Sequence, residues 1–296
     1  MMFRKAVVLV SMAVIAACAS AKPSTPAIWR VSDADNSLYL LGSFHALKPS
    51  DYPLSQTVLD AYADAELLVF EIAPEQLQSP DLANIMLQSA TLPATQSLQG
   101  MLPEKTWLRL LQWQKDNPDK PLASLQRLKP WYAALIIANT QSKSQGFEPE
   151  LGLDQHFMSQ AKSVRKPSIG LEQMQQQIDL FNTMKPAAQL ELLQEALQET
   201  GKPRNGDLEQ LRALWKSGDA RKLESITVTK MQREYPELYQ SINVQRNQAW
   251  LPQLRRLLDE EREKDAMVVV GALHLLGPDG LVQQLQSKGY TVERLK

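Results

Sequence analysis

Cysteine is nearly absent: Cys18 is the only one in 296 residues. No internal disulfide can form, so whatever core the chain builds must hold by packing alone. Histidine is almost as scarce, with three in all. Charge of one sign is missing too, since 32 Lys and Arg face 33 Asp and Glu. No segment gathers basic residues into a stripe able to neutralise several phosphates, which argues against a nucleic-acid partner. The patterns H-E-x-x-H, G-x-S-x-G, the Walker loop and the zinc knuckle do not occur, which argues against the commonest protease, lipase and nucleotide-hydrolysis routes.

A spanning helix of about 20 apolar residues is also lacking. The nearest approach is Ala6 to Ala17, preceded by Arg4 and Lys5, the form of a secretory leader. Residues 1–21 therefore read as an export signal, with two processing routes. Ile15-Ala16-Ala17-Cys18 resembles a bacterial lipobox, which would lipidate Cys18, while Ala19-Ser20-Ala21 fits ordinary cleavage after Ala21. The place of the only cysteine favours the lipobox. The expected location is the periplasm or the outer membrane of a bacterium, with membrane contact only through the lipid anchor. The remaining stretch, 22–296, is expected to form a single domain; the chain's composition, 44% hydrophobic and 22% charged, is enough for a full core.

What is present is a duplication. Leu38-Tyr39-Leu40-Leu41-Gly42-Ser43-Phe44-His45 recurs near the other end as Met267-Val268-Val269-Val270-Gly271-Ala272-Leu273-His274. Each copy is an apolar strand ending in Gly-x-x-His, and each leads through a proline loop and an amphipathic segment into a second apolar run. The reading is strand, Gly-x-x-His, loop, helix, strand, twice. Before the first copy, Ile28 to Val31 and Asp33-Ala34-Asp35-Asn36 make a hairpin with Leu38 to Leu41. Helical spacing follows over Leu54 to Ala65, and Leu67 to Ile72 returns as a strand. Further helices are expected over Pro103 to Gln114, Trp131 to Asn139 and Leu153 to Ala161, and Lys166 to Leu171 reads as a brief strand. A helical insert is expected over 187–262, with Gly201 and Pro203 stopping one helix and Pro252 kinking the last. The fold class is α/β: a small mixed sheet assembled from the two strand units, with a large helical region between.

Strand ends are where α/β folds place ligand crevices. A glycine there lets the backbone approach a ligand, and histidine carries protons or holds metals. Two such histidines on similar strands point to one shared site. Glu71 closes the strand after the first motif, so its carboxylate is expected at the same edge. His45, His274 and Glu71 form a two-nitrogen, one-oxygen set suited to zinc, manganese or iron, with Glu71 either ligand or general base. Asp154 reads equally as a helix cap, and Glu172 as a cap for the following helix. Arg246 and Asn247 stand in a polar stretch of an amphipathic helix, exposed or orienting a carboxylate or anionic substrate group. His156 is read as peripheral.

These residues, in this order, resemble the TraB/PrgY/GumN family, which is related to the Tiki membrane proteases and more distantly to erythromycin-esterase-like and ChaN-like haem-binding proteins. The resemblance rests on Leu40 to His45, Phe70-Glu71, Gly152-Leu153-Asp154, Lys166-Pro167 to Leu171-Glu172 with Gln177, Arg246-Asn247, and Val270 to His274. It implies a sheet built from both chain ends, and an active centre formed by Gly42-x-x-His45, Gly271-x-x-His274 and Glu71. It further implies metal-site roles for His45 and His274, a ligand or base role for Glu71, and a supporting shell of Asp154, Glu172 and Arg246. Tiki-like members act as divalent-metal-dependent proteases, whereas this sequence lacks their membrane span. Two readings follow. One is a cell-envelope hydrolase of the peptidase type, using manganese, cobalt or zinc on a peptide or protein substrate. The other is a non-catalytic envelope protein that captures a peptide or porphyrin in the same crevice.

Overall fold

The computed structural model describes residues 23–198, 207–261 and 264–296. The export signal, Cys18 included, and the stop at Gly201 and Pro203 lie outside the described residues. Six strands form one sheet: β1 (Ile28–Ser32), β2 (Ser37–Ser43), β3 (Leu67–Ile72), β4 (Ser168–Glu172), β5 (Ala266–Gly271) and β6 (Thr291–Arg294). Their order is β4-β3-β5-β2-β1-β6. The pairs β2/β5, β3/β5 and β3/β4 are parallel, while β1 runs antiparallel to both β2 and β6. Strands β2 and β5 are buried at every residue, as their unbroken apolar runs require of central parallel strands.

The duplicated units are not related by a simple two-fold arrangement of strands. The second strand of the first unit, β3, sits beside β5, whereas the second strand of the other unit, β6, lies antiparallel at the far edge beyond β1. The two units interleave, which brings β2 and β5 side by side with Ser43 opposite Gly271. Both Gly-x-x-His turns therefore leave the same edge of the sheet.

Side chains alternate between two cores, as pleating dictates. On one face Tyr39, Leu41, Phe70 and Val269 pack under α1 (Gln56–Asp64) and under the later helix Leu153–Val164. On the other, Leu38, Leu40, Val69 and Val268 meet Trp250, Leu254 and Leu258. A third, wholly helical cluster joins α2 (Glu104–Asp116), α3 (Pro130–Ser144) and a helix at Pro186–Ala196 around Trp131, Leu110 and Leu193. Among the remaining helices, α4 is Leu153–Val164, α5 is Met174–Thr183, α6 is Pro186–Ala196, α7 is Leu208–Ser217, α8 is Gln245–Asp259 and α9 is Leu281–Ser287. Helix α8 runs on through Pro252 and is preceded by a π-helical turn at Gln240–Val244. Among the described residues no helix is long and apolar enough to cross a membrane.

The insert is clamped to the first histidine loop. Trp215 of α7 donates from its indole nitrogen to the carbonyl of Gly42 at 2.8 Å. One turn earlier, Arg212 holds the fully buried Asp51 through contacts of 2.6 and 2.7 Å, and the Lys48 backbone N–H adds a third at 2.9 Å. Burial pushes the Asp51 carboxyl up, but the Arg212 hydrogen bond, the Lys48 N–H and the charges of Arg212 and Lys216 outweigh it and hold it below its ordinary value. A carboxyl lowered in the folded state stabilises above its unfolded pKa of about 4, and that contribution fades as pH falls through the folded value. Asp51→Asn is expected to lower the unfolding free energy by about 3 kcal/mol at pH 7. Urea titrations should show the gap to wild type narrowing below about pH 4.

Candidate functional site

Four parallel strand ends deliver the site. The turn after β2 carries His45, β3 ends in Glu71 and Ile72, β4 ends in Glu172, and a one-turn helix after β5, Ala272–Leu275, carries His274. The fifth contributor is α8. Its register puts Arg246, Asn247 and Trp250 on one side, joined by Asn243 from the π turn, where an extra residue re-aims side chains toward functional crevices.

Arg246 is the hub. Its Nη2 reaches Glu71 Oε2 at 2.5 Å and Glu172 Oε1 at 2.6 Å, its Nε reaches both oxygens of Glu172, and its Nη1 donates to His274 Nε2 at 2.9 Å. The guanidinium lies over Trp250, 4.6 Å from the ring, and the Trp250 indole donates to Glu172 Oε2. Gln177 bridges the two carboxylates, giving 2.7 Å to Glu172 and 3.3 Å to Glu71. Arg246 is thus neither exposed nor free for an anionic substrate. Glu172 does not cap α5, whose N-terminus is closed by Gln173 and Gln176.

The two histidines have opposite surroundings. His274 is 5% exposed. Asn247 donates to the His274 carbonyl and two others, so its Oδ1 must accept from His274 Nδ1 at 2.7 Å, which leaves Nε2 as an acceptor for Arg246. Burial, with Arg246 and His45 nearby, pushes this imidazole down to about 3, so it is neutral at physiological pH. His45 keeps 66% of its side chain open. Its Nδ1 meets Asp154 Oδ2 at 2.8 Å, and the negative charge of Asp154 is the main reason that its pKa rises to about 9. Asp154 also accepts from Ser43, so it orients His45 and is not the helix cap; Gly152 holds the N-cap position of α4. Burial would raise the Glu71 carboxyl, yet Arg246, both histidines and the Gly271 N–H, 2.8 Å away, hold it well below the usual carboxylate range.

Gly271 is the floor of this arrangement. A β-carbon built there would stand 3.2 Å from Glu71 Oε1, 3.3 Å from His45 Nε2 and 3.6 Å from the His274 ring. The three expected residues therefore do meet at one point. Gly42 has a different task, allowing Ala272 to pack against the strand, where a β-carbon would come within 3.1 Å. Above the floor an open pocket of about 630 Å³ is lined by His45, Glu71, Asp154, Gln177, Leu77 and Met158 among others. His156 stands apart, tilted against the Tyr52 ring at 4.8 Å and bonded to Gln160.

The chemistry of this donor set decides what a divalent cation would find. His45 Nε2 and Glu71 Oε1 face the same small space and fit a nitrogen and an oxygen ligand. His274 does not fit as the third, because its Nε2 lone pair already accepts from Arg246. Among the described residues no group of three or more His, Cys, Asp or Glu side chains is disposed to hold a metal ion. The three-ligand expectation thus reduces to a pair, with His274 and Arg246 behind it.

The sequence profile of the TraB/PrgY/gumN family matches residues 27–294, which takes in every strand, both Gly-x-x-His turns and the Arg246 hub. The chain belongs to the TraB/PrgY/gumN family. Within and around the family, it is 29% identical over 262 residues to the uncharacterized protein YbaP of Escherichia coli (strain K12), covering 88% of this chain and 92% of that one. The match to YbaP of Shigella flexneri has the same identity and extent. Metalloprotease TIKI1 of Danio rerio is 22% identical over 315 residues, covering 90% of this chain and 62% of TIKI1. No solved structure was found to match.

Several members of this family site escaped sequence reasoning. Ser43, Asn243 and Trp250 were not singled out, nor was the tie from Trp215 to Gly42. One signal existed: Asn243, Arg246, Asn247 and Trp250 follow helical spacing, a polar and aromatic stripe on one face. Two outcomes are expected. In Gly271→Ala, whose φ of −48° and ψ of 132° suit alanine, circular dichroism should stay near wild type while the NMR signals of the His45 and His274 rings shift, since the new β-carbon would press on both and on Glu71. Arg246→Met should leave two buried carboxylates unpaired and lower the unfolding free energy by about 3–5 kcal/mol in urea titrations.

Proposed function

We propose that this chain is a hydrolase of the peptidase type, acting in the bacterial cell envelope, with a divalent cation held by His45 and Glu71. The observation that carries the reading is the meeting of His45 Nε2 and Glu71 Oε1 over Gly271 at the base of an open pocket. The likeness to a protein named a metalloprotease supports the reaction class, and the leader-like residues 1–21 support the location.

When bound, such a cation supplies Lewis acidity, polarising a carbonyl and acidifying water. The chain's own residues do the rest. Asp154 accepts from His45 Nδ1 and so points Nε2 at the pocket. His45 must give up the proton that Asp154 favours before Nε2 can serve as a ligand. Arg246 keeps Glu71 ionised and, with Gln177, fixes its carboxylate plane. Glu71, kept ionised, offers Oε1 as the oxygen ligand beside His45 Nε2. His274, neutral and locked by Asn247, steadies Arg246 from behind.

Capture of a porphyrin between the two histidines has less support, since His274 is buried with both ring nitrogens engaged. The test uses purified mature protein stripped of metal and reloaded with manganese, cobalt or zinc. Roughly one ion per chain should bind, unstructured peptides should be cleaved, and His45→Ala should lose both properties. A folded, metal-loaded protein that cleaves nothing across a broad peptide library would overturn the reading.

A further inference from the structure

The sheet has two free edges, and they are built differently. β6 at one edge carries Glu293 and Arg294, and charged side chains of this kind discourage pairing with another strand. β4 at the other edge reads Ser168-Ile169-Gly170-Leu171-Glu172, uncharged until its last residue, and Ile169 is 41% exposed.

The ladder fixes which backbone groups of β4 are spare. Ser168 stands opposite Leu68 in the parallel register, and the Leu68 N–H donates to the Pro167 carbonyl at 2.9 Å. In a parallel pair alternate residues bond to the partner strand and those between point away. Residues 167, 169 and 171 therefore face β3, while the N–H and C=O of Ser168 and Gly170 face outward. These outward groups have no partner among the described residues. Beside Ser168 lies a pocket of about 430 Å³ lined also by Lys162, Arg165, Lys166 and Glu75. Arg165 is exposed and makes no ion pair among the described residues. The pocket shares Met158 with the candidate site, and β4 itself ends in Glu172 within that site.

We infer that β4 is the docking edge for an extended peptide, which adds to the sheet as a further strand and is thereby led toward the candidate site. Backbone hydrogen bonds to Ser168 and Gly170 hold it, the mode by which exposed sheet edges recruit unstructured segments. Its side chains alternate in direction. Apolar ones lie beside Ile169, and acidic ones lie on the Ser168 face, toward Arg165 and Lys162. The substrate class is thus an unfolded segment of alternating apolar and acidic residues, an assignment that rests on the hydrolase reading but has its own readout.

That readout is binding. A fluorescein-labelled decapeptide of alternating valine and glutamate is titrated against the full mature protein by anisotropy, alongside versions N-methylated at single amides. N-methylation at every second amide should weaken binding about tenfold, the value of one lost hydrogen bond, with little effect between. Ser168→Pro removes an outward N–H without touching the ladder to β3, and should weaken the parent peptide by about the same factor. A valine and lysine decapeptide should bind more weakly, the difference shrinking as salt rises. No binding, equal tolerance of N-methylation at all positions, or Ser168→Pro matching wild type would overturn the inference. Alternation without cleavage would retain the docking edge and remove the hydrolase reading. Cleavage without alternation would do the reverse.

Discussion

One guanidinium holds the site together. Arg246 sits between two largely buried carboxylates and the acceptor nitrogen of a buried imidazole, 14% exposed itself. Removing such charges from water is costly, and only near-complete mutual pairing offsets it. The fork geometry of arginine achieves this, its Nη2 shared by Glu71 and Glu172, its Nε on Glu172 and its Nη1 on His274, while Gln177 and the Trp250 indole add further donors to the two carboxylates. A lysine has no comparable reach. The consequence extends to the pocket: Glu71 stays ionised although burial pushes its carboxyl up.

This constraint divides the labour of the duplicated motif. Gly-x-x-His occurs twice, and both copies leave the same sheet edge, but the hub lies against only one. His274 is drawn into the protein, neutral and locked; His45, on the open side, is held by Asp154 and faces the pocket. The glycines diverge as well, Gly42 permitting strand packing and Gly271 leaving room for the polar groups above it. Pairing of like sequences has produced an asymmetric centre with one accessible imidazole.

Much of this was legible in the residues. The alternating and continuous apolar runs mark β1, β2, β3 and β5 almost to the residue, and the repeated strand-end motif points to the meeting of His45, His274 and Glu71. The roles of Asp154, Glu172 and Arg246 were harder. Each sits where a cap or a solvated face is equally reasonable locally, and only long-range contacts, such as that of Arg246 with Glu71, settle which applies. The strand order was also out of reach: local patterns of two similar units suggest symmetry, whereas interleaving is decided by how β3 and β6 pair across the whole sheet. Nor does anything in the sequence near His274 say that its Nε2 meets Arg246.

The central claim is that burial, with Arg246 beside it, keeps His274 neutral and bound while His45, of the two motif histidines, meets solvent. Three histidines make this directly measurable by nitrogen-15 and carbon-13 NMR of tag-free, metal-free protein. The account predicts that one imidazole remains an Nδ1–H neutral tautomer from pH 8 down to pH 5 and that another stays protonated at pH 8, in keeping with values of about 3 and about 9. If every ring titrated near the ordinary histidine value of about 6.5, the hub would not exist as described.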